Sequence, residues 1–412
     1  MTAPRITIII PTRERLPVLR YCIQTVLAQQ YKDLQIIVSD NCSTDGTGDF
    51  VRNLNDPRIR YINTSRRVSM TANWEFALSH VDGGWVTVLG DDDGVLPGAI
   101  AKLAAAIEGT DCEAITFNAC SYYWSGGSVA SHLTVPLSRS REVRSCRVWL
   151  DRVMNMRSGY TELPILYVRG VVKFDAIDRI RKKAGGAFFK SSIPDVYSAI
   201  ALSSELDRYL FMTDALTVAG ASSFSNGAAY GRVGSIGTDQ AAHKLFISET
   251  SLPFHPGVPL LPDGAYPPSC QVLVYESYLQ SSFLRQPDDA VTPGRQLELA
   301  LACPVSPAAQ SLNETWGRRF AKLHGLDFQR HLNVSARLKR IHRVKSMLRL
   351  IKMSLSAVVV YQPALCIPNV FEASVAATAL QWLRPSLLFR LRHVWTYKFG
   401  SLRVKILNAL AL

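Results

Sequence analysis

The sequence predicts an α/β fold, in which helices flank a mostly parallel sheet and a mainly helical, basic region follows. Short apolar runs alternate with segments of helical periodicity in the amino-terminal part of the chain. This alternation is typical of parallel strands joined by right-handed helical crossovers. Two of the runs end in acids, and positive charge is concentrated after residue 317. We therefore expect an α/β domain with a polar sheet edge, followed by a region of different chemistry.

The predicted strands are short apolar runs, and the predicted helices carry apolar residues at every third or fourth position. The strands cover residues 5–11, 34–39, 59–63 and 85–89, and the helices cover residues 16–29 and 71–78, with a further helix after Pro97. Farther along, Pro194 predicts a helix start, and residues 210–220 predict a returning strand. The carboxyl ends of the parallel strands should meet at one edge of the sheet.

Acidic and amide side chains follow two of these strands, at the point where each strand ends. Asp91, Asp92 and Asp93 come directly after the fourth strand, and Asp40 and Asn41 follow the second. Clustered carboxylates are costly unless positive charge meets them, and the usual partner is a hard divalent cation that carries phosphate oxygens. The alternative is a solvated acidic helix start, which the helix dipole favours. The triplet alone leaves both interpretations open.

Several short motifs occur in the order and at the spacing that are typical of a known family. They are residues 8–13 (IIIPTR), residues 38–47 (VSDNCSTDGT), Asn73, residues 89–93 (LGDDD) and residues 96–99 (LPGA). Residues 5 to about 118 resemble the nucleotide-sugar half of a family 2 glycosyltransferase with the GT-A fold. The resemblance continues more weakly to about residue 230.

This resemblance implies a binding site for a nucleotide-diphosphate sugar, with a UDP-sugar favoured. The residues that it places at the nucleotide sugar are Pro11, Thr12, Arg13, Asp40, Asn41, Asn73, Asp91 and Asp92. Asp93 and Asp91 match the ends of the Asp-x-Asp motif, which implies that they bind Mn²⁺ or Mg²⁺. Asn41 stands where relatives often have a second acid, and because Asn can both donate and accept hydrogen bonds, the base is left open. Gly90 stands where many relatives have another acid, so we expect that contact to be absent.

The resemblance also implies an inverting, single in-line displacement, with a carboxylate as the base that takes the proton of the acceptor hydroxyl. Asp195 is the best candidate, because it follows Pro194 at a predicted helix start, where relatives carry an acid. Glu162 and Asp175 lie in the same region and are the alternatives. A different interpretation is that Asp195 is only a first-turn acid that the helix dipole favours.

The carboxyl-terminal region differs from the rest of the chain in charge. Residues 318–412 contain 17 Lys or Arg and two acids, which gives a net charge of +15. Since the whole chain is +13, residues 1–317 have a net charge of −2. Apolar residues recur in this region at helical spacing, with basic residues between them: Val334, Leu338, Ile341, Val344, Leu348 and Ile351. Such a cationic amphipathic helix predicts binding to an anionic membrane surface.

Two alternatives remain for this helix. Its apolar side could pack on the catalytic domain or on a second copy, or its basic side could bind nucleic acid, for which no recognised motif is present. A membrane-spanning helix is not expected, because residues 353–371 include Gln362, Pro363, Pro368 and Asn369. The eight cysteines form no CxxC pair and no signal peptide is evident, which predicts a cytoplasmic protein, peripheral on the inner face of the cell membrane.

We therefore expect four regions: the nucleotide-sugar half of a GT-A domain at 1–118, its acceptor and catalytic half at 119–250, a proline-rich connecting segment at 251–317 and the basic helical region at 318–412. The expected reaction is metal-dependent transfer of one sugar to a hydroxyl of a saccharide or lipid-linked saccharide in surface polysaccharide biosynthesis. One alternative is a nucleotidyltransferase, which would normally have a glycine-rich phosphate loop that residues 11–15 lack. The other is a catalytically silent, membrane-associated scaffold that binds sugar nucleotides.

Overall fold

The computed structural model consists of a large mixed sheet, helices on both of its faces and a helical layer beside it. The structure describes residues 3–124, 131–223, 225, 249, 252–286, 291–361 and 367–383. Its amino-terminal elements are β1 (Ile6–Thr12), α1 (Leu16–Leu27), β2 (Leu34–Asp40), α2 (Thr47–Arg52), β3 (Ile59–Asn63), α3 (Met70–Leu78), β4 (Trp85–Val88), β5 (Gly94–Val95) and α4 (Ala99–Glu108). Their bounds lie close to the predicted ones, because the strands β1, β2 and β4 are short, almost fully buried apolar runs and the helices α1 and α4 have apolar faces.

The middle of the chain adds strands at shorter intervals. These elements are β6 (Ala114–Tyr123), β7 (His132–Pro136), β8 (Arg141–Ser145), α5 (Cys146–Met154), β9 (Gly170–Lys173), α6 (Phe174–Lys183), α7 (Pro194–Glu205) and β10 (Arg208–Ala221). The carboxyl-terminal elements are α8 (Cys270–Gln280), α9 (Pro293–Ala302), α10 (Gln310–Leu323), α11 (Phe328–Ser356), β11 (Ala357–Tyr361) and α12 (Val370–Leu383). As predicted, Pro194 is the first residue of a helix.

The sheet confirms the predicted fold class but is mixed rather than mostly parallel. Its strand order is β3-β2-β1-β4-β9-β6-β7-β11, and β10 pairs with β5, β6 and β8. The pairs β1–β2, β1–β4, β2–β3 and β6–β10 are parallel, and the other pairs are antiparallel. Of the antiparallel pairs, β6–β7 joins strands that are consecutive in the sequence, whereas β4–β9, β6–β9, β8–β10 and β7–β11 join strands that other elements separate.

Helices bury the sheet on both faces. Ile8 and Ile10 of β1 join a core that includes residues of α1, α4 and α12, whereas Ile9 points into a second core with α3, α6 and α7. This division follows from the alternation of side chains along a strand. The strand ends between the two helical layers are therefore the polar edge that the sequence predicts.

The segment expected to connect two regions, residues 251–317, is instead a packed helical layer. Its helices α8 and α9 share a third core with α5, α7 and α10, in which Tyr275, Trp316 and Phe320 are almost fully buried. The boundary expected after residue 317 falls inside α10. The sequence conceals α8 because residues 271–278 are all buried, so that no polar face marks a helical period.

The carboxyl-terminal region is helical at first and then returns to the sheet. The helix predicted over residues 334–351 lies within α11, which Asp327 caps by accepting a hydrogen bond from the Arg330 N–H. Beyond it, β11 pairs with β7, and Val370, Ala373 and Ala377 of α12 join the core beside α1. Residues 384–412, part of the predicted basic region, lie outside the described residues. In the described ranges no helix combines the length and apolar character that crossing a membrane requires.

Candidate active site

A pocket of about 690 Å³ opens at the carboxyl edge of β1, β2 and β4. Thr12, the last residue of β1, stands in register with Asp40 at the end of β2, so the loops that follow converge. Of the predicted site residues, the pocket is lined by Pro11, Thr12, Arg13, Asn41, Asn73, Asp91, Asp92 and Asp195. We call this set without Asp195 the strand wall. Asp40 and Asp93 do not line the pocket and are buried.

Asp40 and Asn41 hold the loops of the strand wall in place. The Tyr61 hydroxyl donates a hydrogen bond to Asp40 Oδ2 over 2.6 Å, and the Ser43 N–H donates to Asp40 Oδ1 over 3.0 Å. The amide of Asn41 donates to the Val68 carbonyl and accepts from the Val68 N–H. Asp40 is thereby a buried support, whereas Asn41 both pins the neighbouring segment and contacts the pocket.

Asp91 is fixed by two side chains at the end of β1 and in the turn after it. Thr12 Oγ1 donates a hydrogen bond to Asp91 Oδ2 over 2.9 Å, and Arg15 forms an ion pair with Asp91 Oδ1 over 3.0 Å. Burial raises the pKa of Asp91, Arg15 opposes this shift, and the neighbouring Asp92 adds to it. Arg15 was not predicted as a site residue, since a charged residue in a turn carries no signal of its own.

Asp92 ties the turn after β4 to the end of β10. Its Oδ2 accepts hydrogen bonds from Ser222 Oγ over 2.6 Å and from Ser225 Oγ. The indole N–H of Trp124 donates to the Asp92 carbonyl over 3.2 Å. Gly220 of β10 runs so close to this turn that a Cβ there would stand 1.9 Å from the same carbonyl oxygen. The contact therefore requires glycine at this position.

Asp93 accepts backbone hydrogen bonds through both of its carboxylate oxygens. The Gly220 N–H donates to Oδ1 over 2.7 Å, and the Gly90 N–H donates to Oδ2 over 2.9 Å. Burial and the charge of Asp92 raise the pKa of Asp93 well above its ordinary value. A Cβ at Gly90 would lie 2.6 Å from Asp93 Oδ2 and 2.9 Å from the Tyr167 hydroxyl. A side chain at position 90 would therefore lack space.

The acidic cluster, Asp91 to Asp93, is buried with more negative than positive charge around it. Arg15 pairs with Asp91, and desolvation raises the pKa of both Asp91 and Asp93. Within the described part of the chain, no three His, Cys, Asp or Glu side chains are arranged to hold a metal ion. Carboxylate oxygens are nevertheless the ligands that Mg²⁺ and Mn²⁺ prefer. The cluster therefore fits a divalent cation in charge and chemistry. Groups other than these side chains would have to supply the remaining ligands.

Asp195 faces the same pocket from the first turn of α7. The Tyr160 hydroxyl donates a hydrogen bond to Asp195 Oδ2 over 2.9 Å. Burial raises the pKa of Asp195, and the hydrogen bond from Tyr160 partly opposes that shift. The alternatives lie elsewhere: Glu162 is near Arg144, and the exposed Asp175 pairs with Lys173. Neither alternative lines the pocket.

Beyond Asp195 the pocket is closed by side chains that the sequence did not indicate. We call this set the helix wall, and its residues are Ile193, Val196, Tyr266, Cys270, Leu273 and Val305. Glu249 also lines the pocket and pairs with Arg13 and with Arg67, the latter over 2.9 Å. No local pattern indicates the partner of Arg67, because Glu249 lies 182 positions farther along the sequence.

Comparison with known families assigns the amino-terminal part of the chain. Residues 7–166 match the family model described as Glycosyl transferase family 2. Residues 7–166 are therefore similar to family 2 glycosyltransferases, and we call them the family 2 domain. The strand wall lies within this family 2 domain, whereas Asp195 and the helix wall lie beyond it.

Two curated relatives resemble the family 2 domain. The GalNAc(5)-diNAcBac-PP-undecaprenol beta-1,3-glucosyltransferase of Campylobacter jejuni is 39% identical over 103 residues, 24% of this chain and 33% of that protein. The UDP-Glc:alpha-D-GlcNAc-diphosphoundecaprenol beta-1,3-glucosyltransferase WfaP of Escherichia coli is 28% identical over 101 residues, 24% of this chain and 39% of that protein. The matches thus span little more than a third of these relatives. The solved structure of S. aureus TarS 1-349 in complex with UDP-GlcNAc aligns with 82% of this chain and 92% of its own, at 13% identity and a TM-score of 0.46.

Proposed function

We propose that the chain is a glycosyltransferase that moves one sugar from a nucleotide-diphosphate sugar, with a UDP-sugar favoured, to a hydroxyl of a saccharide or lipid-linked saccharide. The observation that carries this proposal is the shared pocket, which is lined both by Asp91 and Asp92 and by the Asp195–Tyr160 pair. Both relatives are named as glucosyltransferases for saccharides on an undecaprenol diphosphate. These names support a lipid-linked acceptor in surface polysaccharide biosynthesis.

The proposed reaction is a single displacement at the anomeric carbon of the donor sugar. Asp195 takes the proton of the acceptor hydroxyl while the hydroxyl oxygen attacks that carbon. The new C–O bond forms as the bond to the nucleotide diphosphate breaks, the diphosphate leaves with the electron pair, and the configuration inverts. Because burial raises the pKa of Asp195, it is a stronger base than an exposed aspartate.

The strand wall would hold the donor. Pro11, Thr12, Arg13, Asn41 and Asn73 are the proposed contacts to the nucleoside and sugar, together with Asp91 and Asp92. Asp40 stays the predicted contact to the base, which requires the Tyr61 hydroxyl to share Asp40 Oδ2. Asp91 and Asp93 would hold Mn²⁺ or Mg²⁺, which when bound neutralises charge on the leaving diphosphate.

The experiment that tests this function is a thermal-shift panel of UDP-, GDP- and dTDP-sugars, each with and without Mn²⁺, followed by a transfer assay with the donors that bind. A ligand that binds only the native state raises the melting temperature by mass action. We expect a Mn²⁺-dependent shift with one nucleotide class, and transfer from the same donor. Folded protein that shows neither a shift nor transfer with any donor would contradict the proposal and favour a silent scaffold.

We also propose that α11 attaches the protein to the inner face of the cell membrane. Four apolar side chains on one side of this helix are between 38% and 57% exposed, namely Val334, Ile341, Val344 and Leu348. The exposed Arg337 and Arg340 lie among them in the sequence. The opposite side is already used, because Phe328 and Leu332 pack on the third core. An apolar stripe with adjacent positive charge is complementary to an anionic lipid surface.

Vesicle pelleting tests this attachment. The double substitution Val344→Glu and Leu348→Glu should weaken binding to vesicles of phosphatidylglycerol and phosphatidylcholine by at least about 10-fold, because it removes apolar burial and adds repulsion. Val148→Glu, at a comparably exposed valine of α5, is the matched control. Equal binding of wild type and the double variant would refute the attachment, and loss of a dimer on size exclusion would favour contact with a second copy.

A further inference from the structure

The helix wall differs in origin from the rest of the pocket. Tyr266, Cys270, Leu273 and Val305 come from residues that follow the family 2 domain in the sequence, yet they line the same pocket as Asp195. α8 packs against α7, the helix that carries Asp195, and Cys270 at the start of α8 lines the same pocket as that carboxylate. An acceptor that presents its hydroxyl to Asp195 must therefore meet this wall.

The helix wall is held rigidly from behind. The Val305 N–H donates to the Pro268 carbonyl over 2.9 Å, and Ser269 Oγ donates to the Cys303 carbonyl over 3.0 Å. The buried Gln271 amide donates to the Met154 carbonyl of α5 and to the side chain of Gln296 in α9. These bonds join the first turn of α8 to three other parts of the helical layer. The wall is thus preformed, which allows it to discriminate between acceptors by shape.

The chemistry of the helix wall is apolar and lacks positive charge. Ile193, Val196, Leu273 and Val305 contribute hydrocarbon, and Tyr266 is almost fully buried beside them. Among the described residues that line the pocket, the cations are Arg13 and Arg15, and both follow β1 on the opposite side. An anionic acceptor sugar would meet the Asp195 carboxylate without a cation from the helix wall, whereas a methyl group would replace water on an apolar surface.

We propose that the helix wall is an acceptor subsite that selects an uncharged sugar whose methyl-bearing substituent, such as an acetamido group or the methyl of a 6-deoxy sugar, packs against Leu273 and Val305. The subsite rests on the proposed function, because it needs Asp195 to receive the acceptor hydroxyl. The subsite adds a class of acceptor to the proposed function, and residues outside the family 2 domain determine that class. Uronic acids and phosphorylated sugars are excluded by the same wall.

The test is an acceptor panel with the donor found above: p-nitrophenyl glycosides of N-acetylglucosamine, fucose, glucose and glucuronic acid. We expect kcat/KM for the best methyl-bearing acceptor to exceed that for glucose by about 10-fold, the effect of one well-packed methyl group, and glucuronic acid to be poorest. A preference of the wild type for glucuronic acid, or equal kcat/KM for all four sugars, would overturn the subsite. No transfer to any sugar, with no donor-induced thermal shift, would instead mark failure of the proposed function.

Two variants test the wall residues themselves. Val305→Thr keeps the shape of the side chain and Leu273→Asn keeps much of its volume, so each should raise the acceptor KM several-fold, about 5-fold or more, while the donor KM stays unchanged. Leu279→Asn, on the same helix but outside the pocket, is the control for a general loss of packing. If Val305→Thr folds and leaves the preference for methyl-bearing sugars intact, the assignment of the wall is wrong.

Discussion

The strand wall and the helix wall position their side chains in opposite ways. On the strand wall, carboxylates lie at strand ends and accept hydrogen bonds from neighbouring loops, as Asp91 does from Thr12 and Arg15. On the helix wall, apolar side chains project from helices whose far sides pack in the third core, as Val196 does. The comparison teaches that buried carboxylates are held by hydrogen-bond donors from several neighbouring segments. The apolar side chains are held instead by the packing of the helices that carry them.

The largest effect is expected at Asp195, where the two walls meet. Asp195→Asn removes the base while leaving the strand wall untouched, so transfer should fall by about 10²–10⁴-fold with the donor-induced thermal shift retained. Single-turnover transfer and thermal shift, measured on the same protein, check both parts. Asp175→Asn, at the exposed acid of α6, is the control and should retain activity. Loss of donor binding in Asp195→Asn would mean that Asp195 contacts the donor. It would contradict the assignment of donor binding to the strand wall.

The metal is expected to act at the strand wall and not at the helix wall. EDTA should stop transfer, and Mn²⁺ or Mg²⁺ should restore it. Asp91→Asn should raise the Mn²⁺ concentration for half-maximal transfer by about 10-fold or more, because it removes a proposed ligand. Asp49→Asn, at an exposed acid of α2, should leave that concentration unchanged. Full activity in EDTA, after metal analysis of the protein, would contradict the prediction.

The close approach of Gly220 to the Asp92 carbonyl holds the strand wall in place. Disturbing this contact should lower the stability of the protein. Gly220→Ala would place a Cβ 1.9 Å from the Asp92 carbonyl oxygen, so we expect the free energy of unfolding to fall by about 1–3 kcal/mol. Gly159→Ala is the matched control, since its Cβ would meet Thr161 Oγ1 at an ordinary 3.7 Å. Urea denaturation monitored by tryptophan fluorescence gives both values. Equal midpoints would show that β10 can move away from the turn at no cost.

The smallest effect is expected from Tyr160→Phe, which changes the environment of the base. The Tyr160 hydroxyl lowers the pKa of Asp195 against the larger effect of burial, so its removal should raise that pKa further. Because the base acts when deprotonated, the acidic limb of the kcat–pH profile should move to higher pH. Tyr123→Phe on β6 is the control. An unchanged acidic limb would mean that Asp195 is not the group that titrates.

Much of the strand wall could be predicted from the sequence because it is built from local patterns. β2 is an almost fully buried run that ends in Asp40, and the run before Asp91 is short and apolar, so both acids could be placed at one sheet edge. What could not be predicted was the direction of each side chain. Asp40 and Asp93 turn inward, and this depends on hydrogen-bond donors that other elements supply, the Tyr61 hydroxyl of β3 and the Gly220 N–H of β10.

The helix wall could not be predicted for two physical reasons. The helix α8 is buried all round, so its sequence lacks the polar face that reveals an amphipathic helix. Its packing against α7, the helix that carries Asp195, and its hydrogen bond to the Met154 carbonyl also bridge long stretches of chain, which no local pattern encodes. Tyr160 was missed because it lies in a short 3-10 turn, Tyr160–Glu162, that shows no periodicity at all.

The return of β11 and α12 to the sheet has a consequence for how the protein is made. The Tyr122 hydroxyl donates to the Ile367 carbonyl across 245 residues of sequence, and α12 fills the core beside α1. Long-range closures of this kind slow folding and leave intermediates with exposed apolar surface. A nascent chain that has emerged only as far as α11 would therefore still lack α12, which covers α1, the first helix to be synthesised. Premature termination within the last quarter of the message should yield insoluble product rather than a shorter working enzyme.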